Sequence, residues 1–291
     1  MTRLTIRHET LYEYESPVAF GTHRLLLRPR DSHAVRLVDA TLTVSPPGEM
    51  RWSYDALGNC VCWFTPQGLA SRLSILSELT IEAYPAPLAP LPINDPKSTL
   101  PVDYDLADRA ALAPFLEPAE EDVEGLMPWL RGQMGSPGEA ALDFLMRLAW
   151  VIRTDFAYEA RESEGAQSPA ETLRRRAGTC RDFAWLMVEA LRRLGLAARF
   201  VTGYLHSHGM APARGAGATH AWCEVFLPDL GWMGFDPTNG LAESPDLIPV
   251  AICRTPVEAA PVAGTVIGDP GAANLIVSVD VRLAGDLPRA A

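Results

Sequence analysis

The 291-residue chain has no apolar run long enough to cross a bilayer, no excess of basic residues and no even set of cysteines. Each shortage narrows what the protein can be. A membrane-spanning helix needs about 20 consecutive apolar residues, so none is expected. Lysine and arginine number 25 against 36 acidic residues, a net charge of -11. That balance argues against nucleic acid and against anionic membranes as partners. The opening stretch, MTRLTIRHETLYEYE, spreads charge through an alternating pattern and has no apolar core of a signal peptide. A reducing cytoplasm is the default location this implies. Five cysteines then fit free thiols better than a disulfide framework. No acidic loop has calcium-site spacing, and neither a metal nor another cofactor is expected.

What is present is a chain with 48% hydrophobic residues, enough for one large or two modest cores. Residues 1–84 read as successive short strands with turns at SPV, SPPGE and DALGN, an antiparallel β-rich unit. Prolines at 85, 87, 90 and 92 mark residues 85–101 as an extended connector. From about 105 to 135 the pattern turns helical, with Glu117 to Gly125 as an acidic, solvated helix start. A further helix begins near Pro137, with Leu142, Leu145, Met146 and Ala149 on one face. Another is capped by Ser168 with Pro169 in its first position. Residues 102–250 thus place helices before strands, an α+β catalytic domain. Residues 251–291 form a C-terminal extension whose final strand, ANLIVSVDVRLAG, could join either sheet.

The segment GTCRDFAWLMVEALRRLGL, Gly178 to Leu196, carries the chemistry. Phe183, Leu186, Met187, Ala190, Leu191 and Leu194 follow the 3.6-residue period of a helix with one buried face. Gly195 stops it, Arg192 and Arg193 suit its C-terminal dipole, and Thr179 with Asp182 forms a variant capping box. Cys180 is then the first helical residue, where unpaired N–H groups and the helix dipole favour a thiolate, the nucleophilic form. An isolated cysteine is more often a small buried hydrophobe, so the reading requires a base.

ATHAWCEVFLPDLGWMGFDPTNG, Ala218 to Gly240, supplies one. Its alternation reads as two antiparallel strands around a PDLG turn, carrying His220 and Asp236. The imidazole can take the thiol proton, and the carboxylate can fix the imidazole tautomer. Geometry sets a condition. A two-residue loop at Asp229-Leu230 would put Cys223 opposite Asp236 and turn Asp236 away from His220. An odd-length loop or a bulge is therefore expected.

These segments, TCRDFA, HAW and FDPTNG, together with LTIRHETLYEYESPVAFGTHRLLLRPR near the start, resemble the bacterial transglutaminase-like superfamily of cysteine proteases and its β-rich N-terminal region. The resemblance implies a papain-like Cys180–His220–Asp236 site and a thioester formed by attack on an amide, with a peptide or protein amide as substrate. Animal transglutaminases use a tryptophan before the cysteine at the oxyanion. Trp150 and Tyr158 are the positions where such a side chain could fall, and the Cys180 backbone N–H is the firmer donor.

Alternatives stand beside this reading. A zinc hydrolase could draw on His206, His208, His220, Cys223 and Asp236. A non-enzymatic interaction module could keep the fold without the chemistry. Cys60 and Cys62 form a C-x-C that could chelate a metal, but buried structural thiols fit better there, as they do for Cys223 and Cys253. The glycine-rich stretch from His206 to Ala218 reads as a loop beside the site. Whether water or an amine accepts the acyl group, and how many copies of the chain assemble, is not written in the sequence.

Overall fold

The computed structural model describes residues 1–84, 99–121, 123–161, 165–207, 214, 215, 217–228 and 230–285. Most of the proline-rich connector and the middle of the glycine-rich loop, including His208, lie outside the described residues.

The N-terminal strands are β1 (Thr2–Phe20), β2 (His23–Leu25), β3 (Val35–Ser45), β4 (Gly48–Tyr54), β5 (Cys60–Pro66) and β6 (Leu69–Ala83). The turns expected at SPPGE and DALGN join β3 to β4 and β4 to β5. SPV is not a turn. β1 runs straight through it, and its register against β6 shifts between Glu13 and Val18. Pro17 has no N–H to give a ladder, so it sits where the ladder is interrupted rather than where the chain reverses.

The helical region contains α1 (Leu106–Leu116), α2 (Leu126–Arg131) and α3 (Ala141–Asp155). The two-residue strand β7 (Ala157–Tyr158) precedes α4 (Pro169–Arg175), and β8 (Ala177–Gly178) precedes α5 (Cys180–Arg193). α3 starts later than expected and buries Ala141, Phe144, Leu145, Leu148, Ala149 and Ile152. Met146, expected on that face, is exposed. Ser168 caps α4 through the Glu171 N–H at 3.2 Å, as its sequence foretells.

α5 departs from the one-faced helix read from its stripe. Every residue from Asp182 to Arg192 is buried, along with Cys180. A helix covered all round is the centre of its domain, and α5 lies in the core with α3 and the sheet residues Ala221, Cys223, Val225 and Leu227. Its C-terminus closes in a Schellman pattern, Gly195 N–H to Arg192 O and Leu196 N–H to Leu191 O, both 3.0 Å, with Gly195 at φ 77°.

The second sheet consists of β9 (Ala198–Leu205), β10 (His220–Leu227), β11 (Gly231–Asp236), β12 (Leu241–Ala242) and β13 (Leu247–Cys253), in the order β12-β11-β10-β9-β13. Three last strands follow: β14 (Val262–Ala263), β15 (Val266–Ile267) and β16 (Ala273–Leu283). All three return to the N-terminal sheets. β14 pairs with β2, while β15 and β16 both pair with β1. The two N-terminal sheets enclose Val18, Phe20, Leu25, Cys62, Phe64, Leu73 and Ile75 between them. Farther along the same face, the larger one packs Leu4, Ile6, Leu79 and Ile81 against Tyr204, Ile248 and Val250 of the second sheet. The protein is thus a mixed helix-and-sheet fold with a β-rich N-terminal part docked on it.

Candidate active site

Cys180 is held by a parallel pairing and a buried carboxylate. β7 pairs with β8, setting Tyr158 beside Gly178 just ahead of the cysteine. Asp182, fully buried, accepts from the Thr179 N–H at 2.8 Å and the Thr179 hydroxyl at 3.0 Å. It also accepts from Arg161 at 2.7 Å, and from the backbone and side chain of Gln167 at 2.6 and 3.1 Å. Five donors converge on one carboxylate, so the first turn of α5 is fixed from outside the helix as well as within it. The Cys180 N–H, in that first turn, has no intrahelical acceptor.

The hairpin meets the condition set by the sequence. Leu227 pairs with Gly231 and Cys223 with Phe235, leaving residues 228–230 as a three-residue loop. That register puts Asp236 on the face shared by His220 and Trp222, not the face of Cys223. His220 Nε2 donates to Asp236 Oδ2 at 2.8 Å, and both side chains are fully buried. Asp236 is saturated: Asn239 Nδ2 reaches Oδ2 at 2.8 Å, while the N–H groups of Thr238 and Asn239 reach Oδ1 at 2.8 and 3.3 Å.

Burial by itself opposes charge on His220, but the Asp236 carboxylate and then the adjoining Cys180 sulfur outweigh it and push the imidazole up to about 10. Burial likewise disfavours the Asp236 anion, yet His220, Asn239 and the Thr238 N–H hold it below the ordinary carboxylate range. With Nε2 engaged by Asp236, Nδ1 is buried and has no hydrogen-bond partner, and it is the nitrogen left to exchange a proton with the thiol.

Beneath the imidazole lies Trp222, its ring centroid 6.1 Å away and tilted by 28°. Gly203, opposite His220 on β9, makes room for that ring. A Cβ there would stand 2.1 Å from Ile248 O and 2.9 Å from the Trp222 ring. Sequence reading missed Gly203, Asn239 and Trp222. A glycine inside an otherwise regular strand was the available signal for the first.

Of the two aromatic positions raised for the oxyanion, Trp150 is exposed on α3 against Gly240. Tyr158 is beside the site: burial and then the nearby Cys180 push its phenol up to about 12, and its ring meets Phe183 edge-on at 6.5 Å. Among the described residues the zinc ligands do not gather. Among the described residues no three His, Cys, Asp or Glu side chains lie together as a metal would need. Cys223 faces the core on the opposite side of β10 from His220, and His206 lies 3.6 Å from Asp246. Cys62, Cys223 and Cys253 are buried and Cys60 is half-buried, and burial pushes all four thiols up. Among the described residues no helix is long and apolar enough to cross a membrane.

Comparison with known proteins agrees with this architecture. Residues 130–237, which contain all three candidate residues, match the transglutaminase-like superfamily. Residues 4–82 match the bacterial transglutaminase-like N-terminal region. Uncharacterized proteins of Mycobacterium tuberculosis and Mycobacterium bovis are 30% identical over 96% of this chain and 92% of theirs. An uncharacterized protein of Mycobacterium leprae is 26% identical over 98% of this chain and all of its own length. The crystal structure of "a Putative Cysteine Protease from Cytophaga hutchinsonii" superposes with a TM-score of 0.73 at 21% identity, covering 99% of this chain and 92% of that one. The chain belongs to the transglutaminase-like superfamily, in the bacterial form that carries its own β-rich N-terminal region.

Proposed function

We propose that the protein is a cysteine-dependent amidase acting on peptide or protein amides, with Cys180 as nucleophile, His220 as general base and acid, and Asp236 as the group that orients His220. The observation that carries this reading is the His220–Asp236 bond of 2.8 Å beside a cysteine at the head of a buried helix. The thiolate sulfur attacks the carbonyl carbon, and the oxygen takes up the charge beside the Cys180 N–H. The C–N bond breaks as His220 gives its proton to the departing amine, leaving a thioester. Water then attacks that thioester, with His220 taking its proton, and the carboxylic acid leaves as the thiolate re-forms. An amine in place of water would make the same acyl-enzyme a transglutaminase. Hydrolysis is preferred because no feature of the site among the described residues selects an amine.

The test is turnover of a fluorogenic peptide-amide library by wild type, Cys180→Ala and His220→Ala. Loss of turnover in both folded variants, about 10⁴-fold or more, is expected. Retained turnover in either removes the mechanism.

A further inference from the structure

The bond to Asp236 fixes one point of the His220 ring and not its plane. Nε2 is held at 2.8 Å from Oδ2, but a single hydrogen bond leaves the ring free to rock about that line. Nδ1 is buried and has no hydrogen-bond partner to stop it, and Nδ1 is the nitrogen that has to face Cys180. Among the described residues the titratable groups around the ring are Asp236 of β11, Cys180 of α5 and, next to Cys180, Tyr158 of β7. The ring stacks on Trp222, two residues on along the same face of β10, with centroids 6.1 Å apart and planes 28° apart.

The indole is itself held in place. It is 1% exposed and clusters with Val201, Leu205 and Leu247. Its two ends reach the neighbouring strands, and each strand has a glycine there. A Cβ on Gly203 of β9 would stand 2.9 Å from Cη2, and one on Gly234 of β11 would stand 3.6 Å from Nε1 and 3.8 Å from Cδ1. Gly203 is opposite His220 and Gly234 opposite Glu224, so the two glycines flank the position of Trp222 on β10. Glycine inside a strand weakens it, and two of them beside one indole form a slot across three strands in which that ring lies flat.

We propose that Trp222 is a positioning residue for the candidate dyad: lodged between Gly203 and Gly234, the indole fixes the plane of the His220 ring and so keeps Nδ1 aimed at Cys180. Asp236 then sets the direction of the imidazole and Trp222 its tilt. The proposal rests on Cys180 and His220 acting as nucleophile and base.

The test follows alkylation of Cys180 by iodoacetamide against pH, read by peptide mapping, in wild type, Trp222→Phe, Trp222→Leu and His220→Ala. The midpoint of the profile reports ionisation of the thiol, which a loss of global stability in a folded variant does not move. A misaimed Nδ1 forfeits its charge-assisted bond to the thiolate, about a factor of ten. The midpoint should therefore rise by about one pH unit in Trp222→Leu, which keeps an apolar side chain without a flat face. Trp222→Phe restores a ring and should bring the midpoint to within about half a unit of wild type. An unmoved midpoint in folded Trp222→Leu overturns the proposal, and so does an equal rise in Trp222→Phe, which would assign the effect to lost volume. Wild type supplies a check that needs no variant. Proton cross-relaxation between the His220 ring and the indole should persist after Cys180 is alkylated, because the plane does not depend on the sulfur; its loss overturns the proposal. A wild-type midpoint at the ordinary thiol value, unmoved in His220→Ala, overturns the nucleophile reading and this one with it. A midpoint moved by His220→Ala and not by Trp222→Leu overturns this one alone.

Discussion

At the scale of single residues the site is a charge balance held in a dry place. Asp236 receives four hydrogen bonds while facing His220, so its anion is stabilised without water and the imidazolium is stabilised in turn. The two pKa shifts give the pair a defined pH window. His220 is raised from 6.5 to about 10, so its contribution to stability is complete below 6.5 and is lost as pH rises towards 10. Asp236 is depressed from 3.8, so its contribution is complete above that value and is lost as pH falls through the lower folded value. The pair therefore contributes most between pH 3.8 and 6.5. The pH-dependent part of the difference in thermal midpoint between wild type and His220→Ala should be greatest near pH 5 and shrink towards pH 10. A difference that instead grows with pH would mean that the imidazole is neutral in the folded protein.

At the scale of elements, α5 is the piece on which the rest depends. Its capping residues, its glycine stop and the position of Cys180 are local features and are legible in GTCRDFAWLMVEALRRLGL. Its complete burial is not, because a stripe of apolar residues says which face is most buried and nothing about what covers the other. The covering depends on charged residues that read as solvent-facing. Glu189 is fully buried and accepts from Arg193 at 2.6 Å and from the Ala119 N–H at 2.9 Å, while Arg192 reaches Ala198 O at 3.0 Å and Arg254 O at 2.8 Å. At the other end Asp182 does more than cap. Asp182→Ala would remove the buried acceptor that Arg161, Gln167 and Thr179 share. It should destabilise the protein by about 3–5 kcal/mol, read by chemical denaturation. A loss under about 1 kcal/mol would reduce Asp182 to an ordinary N3 capping residue. α3 gives the converse lesson. Its buried stripe is rotated from the expected one because Phe144, Leu148 and Ile152 meet α5, and a run rich in apolar residues allows more than one face.

At the scale of the molecule, the β-rich N-terminal part and the transglutaminase-like part are joined through polar contacts inside an apolar interface. Asn59, in the turn between β4 and β5, clamps β13 by donating to Ile252 O at 2.8 Å and accepting from the Ile252 N–H at 2.9 Å. His8 of β1 meets Tyr204 of β9, with Nδ1 and the phenol oxygen 3.1 Å apart, and the phenol donates onward to Leu27 O at 3.2 Å. That network needs a proton on Nδ1, and burial sets whether the ring carries a second one. Burial pushes His8 down from 6.5 to about 4. A histidine depressed in this way contributes stability above 6.5 that is lost as pH falls through 4. The loss amounts to about 3 kcal/mol. Wild type should become acid-labile across this range, and His8→Gln should flatten the profile. An equal slope in the variant would place the sensitive group elsewhere.

The sequence by itself determined what depends on neighbours along the chain. This covers the start and stop of α5, the cap of α4, the alternation of β10 and β11, and the parity of the loop between them, since a one-residue slip reverses every side chain. It also carried the motifs by which the family is recognised and the three residues proposed for catalysis. Only the tertiary structure decided which strands meet. β16 has the same alternation whichever sheet it joins, and its place beside β1, with Val279 turned towards Gly217, follows from long-range pairing that no local pattern encodes. The same holds for SPV, where a proline that reads as a turn becomes an interruption within β1 because β6 continues on both sides of it. Local rules fix the geometry of an element. Burial against distant parts of the chain fixes which element it meets.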